Sequence, residues 1–549
     1  MLGGALRVAL VVGGIALLCA IVQEDVGRDL TEAIKIPLAA AASVLAACWG
    51  VRHAAWQRLR GQVLVFLVLV GGANYARWGF SAATERLDAY DLLHYYINAK
   101  YFDELGYYDL YPAMMVVDQE AGPFFQEPPT FLAQSDEAGH QLQPLAQGLR
   151  RGRVVREGFT EARWDAFAHD VLYLQRTVGC TVRSRRTHRC VRELNDDLWM
   201  QLLNDHGYNG TTAWTLLARP LTWVPVEYVK VLGYADVVLL VGALCLVGAA
   251  YGSTAALWTT LFLFVTYSTR WPYFSWALLR YDWVALLIAT PAVLRLRMPL
   301  LGGFFAGTAA LLRLFPALYM WGPLCKGVVL LVTERRARRA LLWMASGFLL
   351  AVFLVQGAAT LRFGVGEVAT HFENMEDHNK SLQLSSRRIG LALALATEPW
   401  RGEKMEPIID EARKQRIEDE RWLRYAVGGA LLLLLGLGVS RRGDDEAYAY
   451  GFLPFFFLTT ASYYYYVARV PLIVAHAGHL ERSTRDQVLL AVLFAIEAGT
   501  NAVTTIDERH RLVLISWLAW DLLLYAVVAV GWMLLDPGPV DLDEADPQV

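Results

Sequence analysis

Apolar runs of the length a bilayer demands recur along almost the whole chain. A spanning helix takes about 20 mostly apolar residues, and lipid offers no partner to a bare backbone, so such runs predict an α-helical bundle. Runs near 4–22, 36–50, 61–75, 231–251, 254–269, 281–295, 299–333, 340–358, 424–439, 446–462, 465–479, 487–502 and 511–534 are read as spans. The 299–333 run is too long for one crossing, and Pro316 predicts a break inside it. The expected fold is an all-α polytopic membrane protein of about 12–14 transmembrane helices, with two long loops on the non-cytoplasmic side.

Orientation follows from the basic residues in short loops. Arg52, Arg58 and Arg60, then Arg295 and Arg297, then ERRARR at 334–339, then Arg441 and Arg442 all fall on one side when the N-terminus is cytoplasmic. The first run has only Arg7 ahead of it and no clear small-residue cleavage site, so a retained helix is expected rather than a signal peptide. This threading divides the chain into N-terminal helices (1–75), a long external loop (76–226), central helices (227–358), a second external loop (359–422), C-terminal helices (423–535) and an acidic tail (536–549). Loops of that length are expected to fold. Within the first, Phe159, Trp164, Phe167, Val171 and Leu172 share an approximate helical face.

Composition narrows the function. With 55% hydrophobic and 19% charged residues the chain is too apolar for a soluble enzyme. Its 50 basic against 53 acidic residues, a net charge of −3, give no basic surface for nucleic acid. Six cysteines exclude a disulfide scaffold, although Cys180 and Cys190, flanking CTVRSRRTHRC, are placed to pair if that loop faces an oxidising compartment. No phosphate-binding Gly loop of nucleotide enzymes is present, which argues against a nucleotide sugar bound on an α/β domain.

The segment 87–111, LDAYDLLHYYINAKYFDELGYYDLY, opens the first long loop directly after a span. As a helix it places Asp91, Tyr95, Asn98 and Ala99 on one stripe at i, i+4, i+7 and i+8, with Asp88 three residues earlier. A carboxylate beside a Tyr at the membrane surface suits a general base that takes a proton from an attacking hydroxyl. The ordinary alternative is that Asp88 or Asp91 caps the helix.

Asp91, Tyr95, Ala99, Gly106 and Leu110-Tyr111 together resemble the first external loop of GT-C integral membrane glycosyltransferases, in particular the polyprenyl-phosphate-mannose-dependent mannosyltransferase branch. LLGGFFAGTAALLRLFPALYMWGPL (300–324) is similar to that branch's Gly-rich helix followed by a basic residue and Pro, with Arg313 where Lys is common. WALLRYDWVALLIA (276–289), NKSLQLSSRRIGLALAL (379–395) and FFFLTTASYYYYVARVPLIV (455–474) are weaker echoes. The resemblance implies a catalytic Asp, a polyprenyl-phosphate-linked sugar donor, and inverting transfer of a hexose, mannose first, to a glycan, glycolipid or protein acceptor on the non-cytoplasmic face. By motif position Asp91 is the base and Asp88 its nearest competitor. The insertion at about 112–222 departs from the branch and leaves the acceptor open. The Ala-, Leu-, Val- and Arg-heavy composition points to a bacterial inner membrane, with the site on its periplasmic side.

An anionic phosphate at the lipid surface calls for Arg, whose planar fork bonds two oxygens at once. Arg280, Arg387 and Arg388 are the external candidates, with His378 or Lys380 nearby and Tyr95 beside the base; snorkelling to headgroups is the alternative. Asp282 is expected to pair with Arg280 or Arg313. Tyr463–Tyr466 reads as an interfacial aromatic belt, with a sugar or lipid groove as the other choice. His371, Glu373, Asp377 and His378 superficially resemble a metal cluster, but no compact ligand spacing is present and no metal or other cofactor is assigned. Asn209 and Asn379 match the glycosylation pattern. The competing functions are a transporter or flippase, with Glu497, Asp521 and Arg313 along its path, and a non-catalytic scaffold of the same fold.

Overall fold

The computed structural model describes residues 2–22, 28–79, 88–122, 130–133, 141–178, 196–205, 207–269, 277–334, 339–382, 388–396, 415–506 and 511–535. The chain is all-α in character, and seven described helices are long and apolar enough to cross a membrane: Leu30–Ala47, Val226–Tyr251, Phe315–Thr333, Arg339–Phe363, Arg421–Val439, Thr484–Val503 and Trp517–Leu535. Three shorter apolar helices, Leu10–Val22, Ser253–Val265 and Pro299–Leu312, accompany them. This is the architecture of a multi-pass membrane protein, with fewer long apolar helices than the roughly 14 crossings read from the runs.

Part of the difference has a physical cause. The 446–462 and 465–479 runs are broken into the helices Asp444–Ala449, Phe452–Leu458 and Val470–His479, joined by a 3₁₀ turn at Tyr463–Arg469. Phe452, Phe455, Phe456, Val467, Leu472 and Ile473 are fully buried there, so this apolarity serves packing inside the protein. The break expected at Pro316 is present. The Pro299–Leu312 helix ends at Arg313, Pro316 sits at the start of a 3₁₀ turn, and the next helix begins at Trp321.

The Gly-rich stretch is a packing device. Gly303 lies against the Met344 carbonyl and Gly347 against the Leu300 carbonyl so closely that a Cβ on either would overlap backbone. The Pro299–Leu312 and Arg339–Ala351 helices therefore cross backbone to backbone, the use membrane helices make of small residues. Val352–Gln356, inside the long Arg339–Phe363 span, is π-helical, and Gln356 Nε2 then donates to Thr212 Oγ1 at 3.0 Å.

The first polar insertion folds against the bundle. Its Glu161–Val178 helix buries Trp164, Phe167 and Val171, with Phe159 packed just ahead of it and Leu172 half-buried, which is the face expected from periodicity. Asp170 on that helix takes both Lys100 Nζ (2.6 Å) and Tyr101 OH (2.8 Å), docking it on the Ala89–Lys100 helix. Two short antiparallel pairings complete the structure, Thr130–Ala133 with Gln141–Pro144 and Arg388–Ile389 with Ala461–Ser462. The second holds Arg388, which is buried.

Candidate active site

The Ala89–Lys100 helix begins where the sequence signals a cap: Asp88 Oδ1 accepts the Asp91 N–H at 3.1 Å. Asp88 is thus the capping carboxylate, and Asp91 stands in the first turn, where the helix dipole favours a negative charge. Both carboxylates face one cation. Arg280 Nη1 lies 3.0 Å from Asp91 Oδ1 and 3.3 Å from Asp88 Oδ2. Asp91 Oδ2 takes no hydrogen bond among the described residues.

Arg280 is held there by its own backbone. Asp236, in the first turn of the Gly233–Tyr251 helix, accepts the Arg280 N–H at 2.8 Å and the Tyr281 N–H at 3.1 Å. Trp283 Nε1 donates to the Arg280 carbonyl at 3.0 Å. Just before it Leu279 takes φ 47°, a left-handed conformation that costs an L-residue about 1–2 kcal/mol. The expected pairing of Asp282 with Arg280 is corrected: Asp282 accepts its neighbour's Trp283 N–H at 2.6 Å and shares only its field with Arg313, while Arg280 turns to Asp91.

Beside this pair lies a cavity of about 650 Å³. Its wall carries Arg313, Arg388, Arg421, Arg424 and His371, faced, among the described residues, by one carboxylate, Glu418. Tyr464 and Tyr465, their rings 4.4 Å apart, line it, and the Arg280 guanidinium lies 6.0 Å from the Tyr464 ring. Tyr464 and Tyr465 of this Tyr run line the cavity; Tyr463 and Tyr466 are buried. Tyr95, one turn after Asp91, links the two regions: its hydroxyl donates to Asn209 Oδ1 and Arg313 stands over its ring at 5.6 Å. Asn209, which matches the glycosylation pattern, lines the cavity.

The structure thus brings Asp88, Asp91, Tyr95 and Arg280 together and sets Arg388 in the neighbouring cavity, where its Nη1 donates to the Thr460 carbonyl at 3.0 Å. Arg387, the His378 and Lys380 side chains, and Cys180 with Cys190 lie outside the described residues. Among the described residues no three His, Cys, Asp or Glu side chains group as metal ligands. Glu497 is fully buried and paired with Arg469 at 2.6 Å. Sequence reasoning did not reach Asp236, whose only signal is an acid opening an apolar run, nor the cavity positions of Arg313 and His371.

Burial pushes the Asp88 carboxyl up to about 6; the Asp91 charge adds to this, and Arg280 opposes it. A carboxyl raised in the folded state favours folding below its ordinary value near 4, and that contribution is lost as pH rises through about 6. Thermal midpoints of the detergent-solubilised protein are accordingly expected to show a wild-type advantage over Asp88→Asn that is larger at pH 4.5 than at pH 7.5. A difference independent of pH would mean that Asp88 acts through its cap alone.

Compared with protein-family models, curated proteins and solved structures, the chain matches none.

Proposed function

We propose that this chain is a membrane glycosyltransferase of GT-C type. It transfers a hexose, mannose first, from a polyprenyl-phosphate donor to an acceptor hydroxyl at the outer face of a bacterial inner membrane. The observation that carries the reading is the pair Arg313 and Arg388. Both line the cavity, neither forms an ion pair with a described carboxylate, and the Nε of each is buried without a partner. Arginines without a directly paired carboxylate in a cavity are a site for an anion with several oxygens, as a phosphate is. Arg421 and Arg424 stand at the start of the apolar Arg421–Val439 helix, so the cationic wall adjoins a membrane-length element, as a lipid phosphate requires.

In this reading the acceptor oxygen bonds the anomeric carbon as the bond from that carbon to the phosphate oxygen breaks. The acceptor proton passes to Asp91 Oδ2, while Arg280 holds the other carboxylate oxygen in place. Negative charge builds on the departing polyprenyl phosphate, and the cavity arginines stabilise it there.

The test is transfer of labelled hexose by the purified full-length protein from polyprenyl-phosphate mannose and polyprenyl-phosphate glucose to membrane acceptors. Arg388→Gln and Arg313→Gln are each expected to raise the donor KM or lower kcat/KM by about 10- to 100-fold, the loss of a charge-assisted hydrogen bond or two. Wild-type kinetics in both variants would remove the phosphate from this cavity and with it the support for the reading.

A further inference from the structure

His371 stands in the cavity wall with both ring nitrogens unspent among the described residues. It projects from the Val365–Leu382 helix, is 3% exposed, and neither Nδ1 nor Nε2 has a partner among the described residues. Its ring is fixed by apolar contact, 5.6 Å from Tyr107 on one side and 5.6 Å from Phe372 on another. One turn on, Asn374 Nδ2 donates to the Tyr208 carbonyl at 2.9 Å and locks the helix. Buried polar atoms in folded proteins find partners, so an imidazole held this way in a cavity wall is shaped for a ligand.

The kind of ligand group follows from charge. Burial, with Arg313 adding to it, pulls His371 down to about 4, so at neutral pH it is an uncharged ring with one N–H donor and one acceptor nitrogen. A phosphate offers acceptors only and is served by the arginines. A ring that both donates and accepts matches a hydroxyl. The neutral groups Asn209 and Thr211 also line the cavity and lead into the Thr212–Ala218 helix, which packs on the helix of His371, while Arg313 is the cation whose field reaches the ring. Arg388, Arg421 and Arg424 come from other elements, the Arg388–Ile389 strand and the Arg421–Val439 helix.

We propose that His371 is a specificity-determining residue that hydrogen-bonds a hydroxyl of the donor's hexose, in the same cavity as the phosphate-binding cations. This rests on the polyprenyl-phosphate reading above.

Two probes of equal charge separate the parts: farnesyl mannosyl phosphodiester and farnesyl methyl phosphodiester, each titrated into the full-length protein in detergent. Wild type is expected to bind the mannosyl compound at least about tenfold more tightly. His371→Phe, which keeps the ring against Tyr107, is expected to erase that preference while binding the methyl compound as wild type does. His371→Gln, which restores a donor and an acceptor, is expected to recover part of it. Equal weakening of both probes in His371→Phe would place the ring on the phosphate and overturn the proposal, as would an unchanged preference. Wild type binding both probes equally would overturn it and leave the phosphate site standing. Binding of neither probe by wild type would overturn the donor reading and this proposal together.

Discussion

Asp91→Asn is expected to lower hexose transfer by about 10³-fold, within the range that a positioned general base contributes. The amide is nearly the same size and still faces Arg280, so the loss is one of basicity, with the helix and its cap retained. Asp88→Asn is expected to be far milder, costing about 1 kcal/mol or less of stability at the cap, because an Asn oxygen can still accept the Asp91 N–H. Transfer rates at saturating donor, with size-exclusion profiles to confirm folding, distinguish the two. If Asp88→Asn is the dead variant and Asp91→Asn retains more than a tenth of the activity, the base moves by one turn. If neither variant loses activity, the carboxylate pair is structural and the proton goes elsewhere.

The largest stability effect is expected at a buried ion pair. Arg469 and Glu497 are both fully buried, 2.6 Å apart, and Glu497 Oε2 also accepts the Tyr267 N–H at 2.8 Å. Arg469 Nε donates to the Tyr466 carbonyl at 2.9 Å, so the pair fastens the Tyr463–Arg469 turn to the Thr484–Ile506 helix. Removing one partner leaves an uncompensated buried charge, and Glu497→Ala is expected to cost about 3–5 kcal/mol. Replacing both, with Arg469→Met and Glu497→Leu, is expected to cost much less, since paired charges and apolar packing are nearly equivalent in a dry interior. Unfolding midpoints in mixed detergent micelles for the two single variants and the double variant read this directly. A double variant as unstable as either single one would mean that the hydrogen bonds to Tyr267 and Tyr466, rather than the charges, hold the turn.

That pair also bears on the transporter reading, in which Glu497 belongs to a polar path. Its oxygens are committed to Arg469 and to the Tyr267 backbone, a fastening role in the wall that carries Tyr464 and Tyr465.

What was legible in the sequence was local. A cap residue three before an acid, the helical face of Trp164, Phe167 and Val171, and the interruption near Pro316 each follow from spacing within one element. The number of long apolar helices was not legible in this way, because a buried run such as Phe452–Leu458 is as apolar as a lipid-facing one. The site also was not wholly local. Arg280 reaches Asp91 across 189 positions, and it does so because Asp236 takes the Arg280 and Tyr281 amides, a contact without periodicity to announce it. The Gly-rich run was noticed for its likeness to a glycosyltransferase motif. In the structure its glycines serve a helix crossing, and the residue that reaches the cavity is the Arg at its end.

The π-turn at Val352–Gln356 decides which neighbours that crossing serves. In an uninterrupted α-helix Gly347 and Gln356, nine residues apart, would point to opposite sides, about 180° around the axis. One residue absorbed by a wider turn reduces that to about 80°. The same span can therefore press Gly347 into the Pro299–Leu312 helix and still turn Gln356 toward Thr212, next to the Thr211 of the cavity wall. The irregularity works as a swivel: the half of the span below it is committed to a tight helix crossing, and the half above it is aimed at the floor of the site.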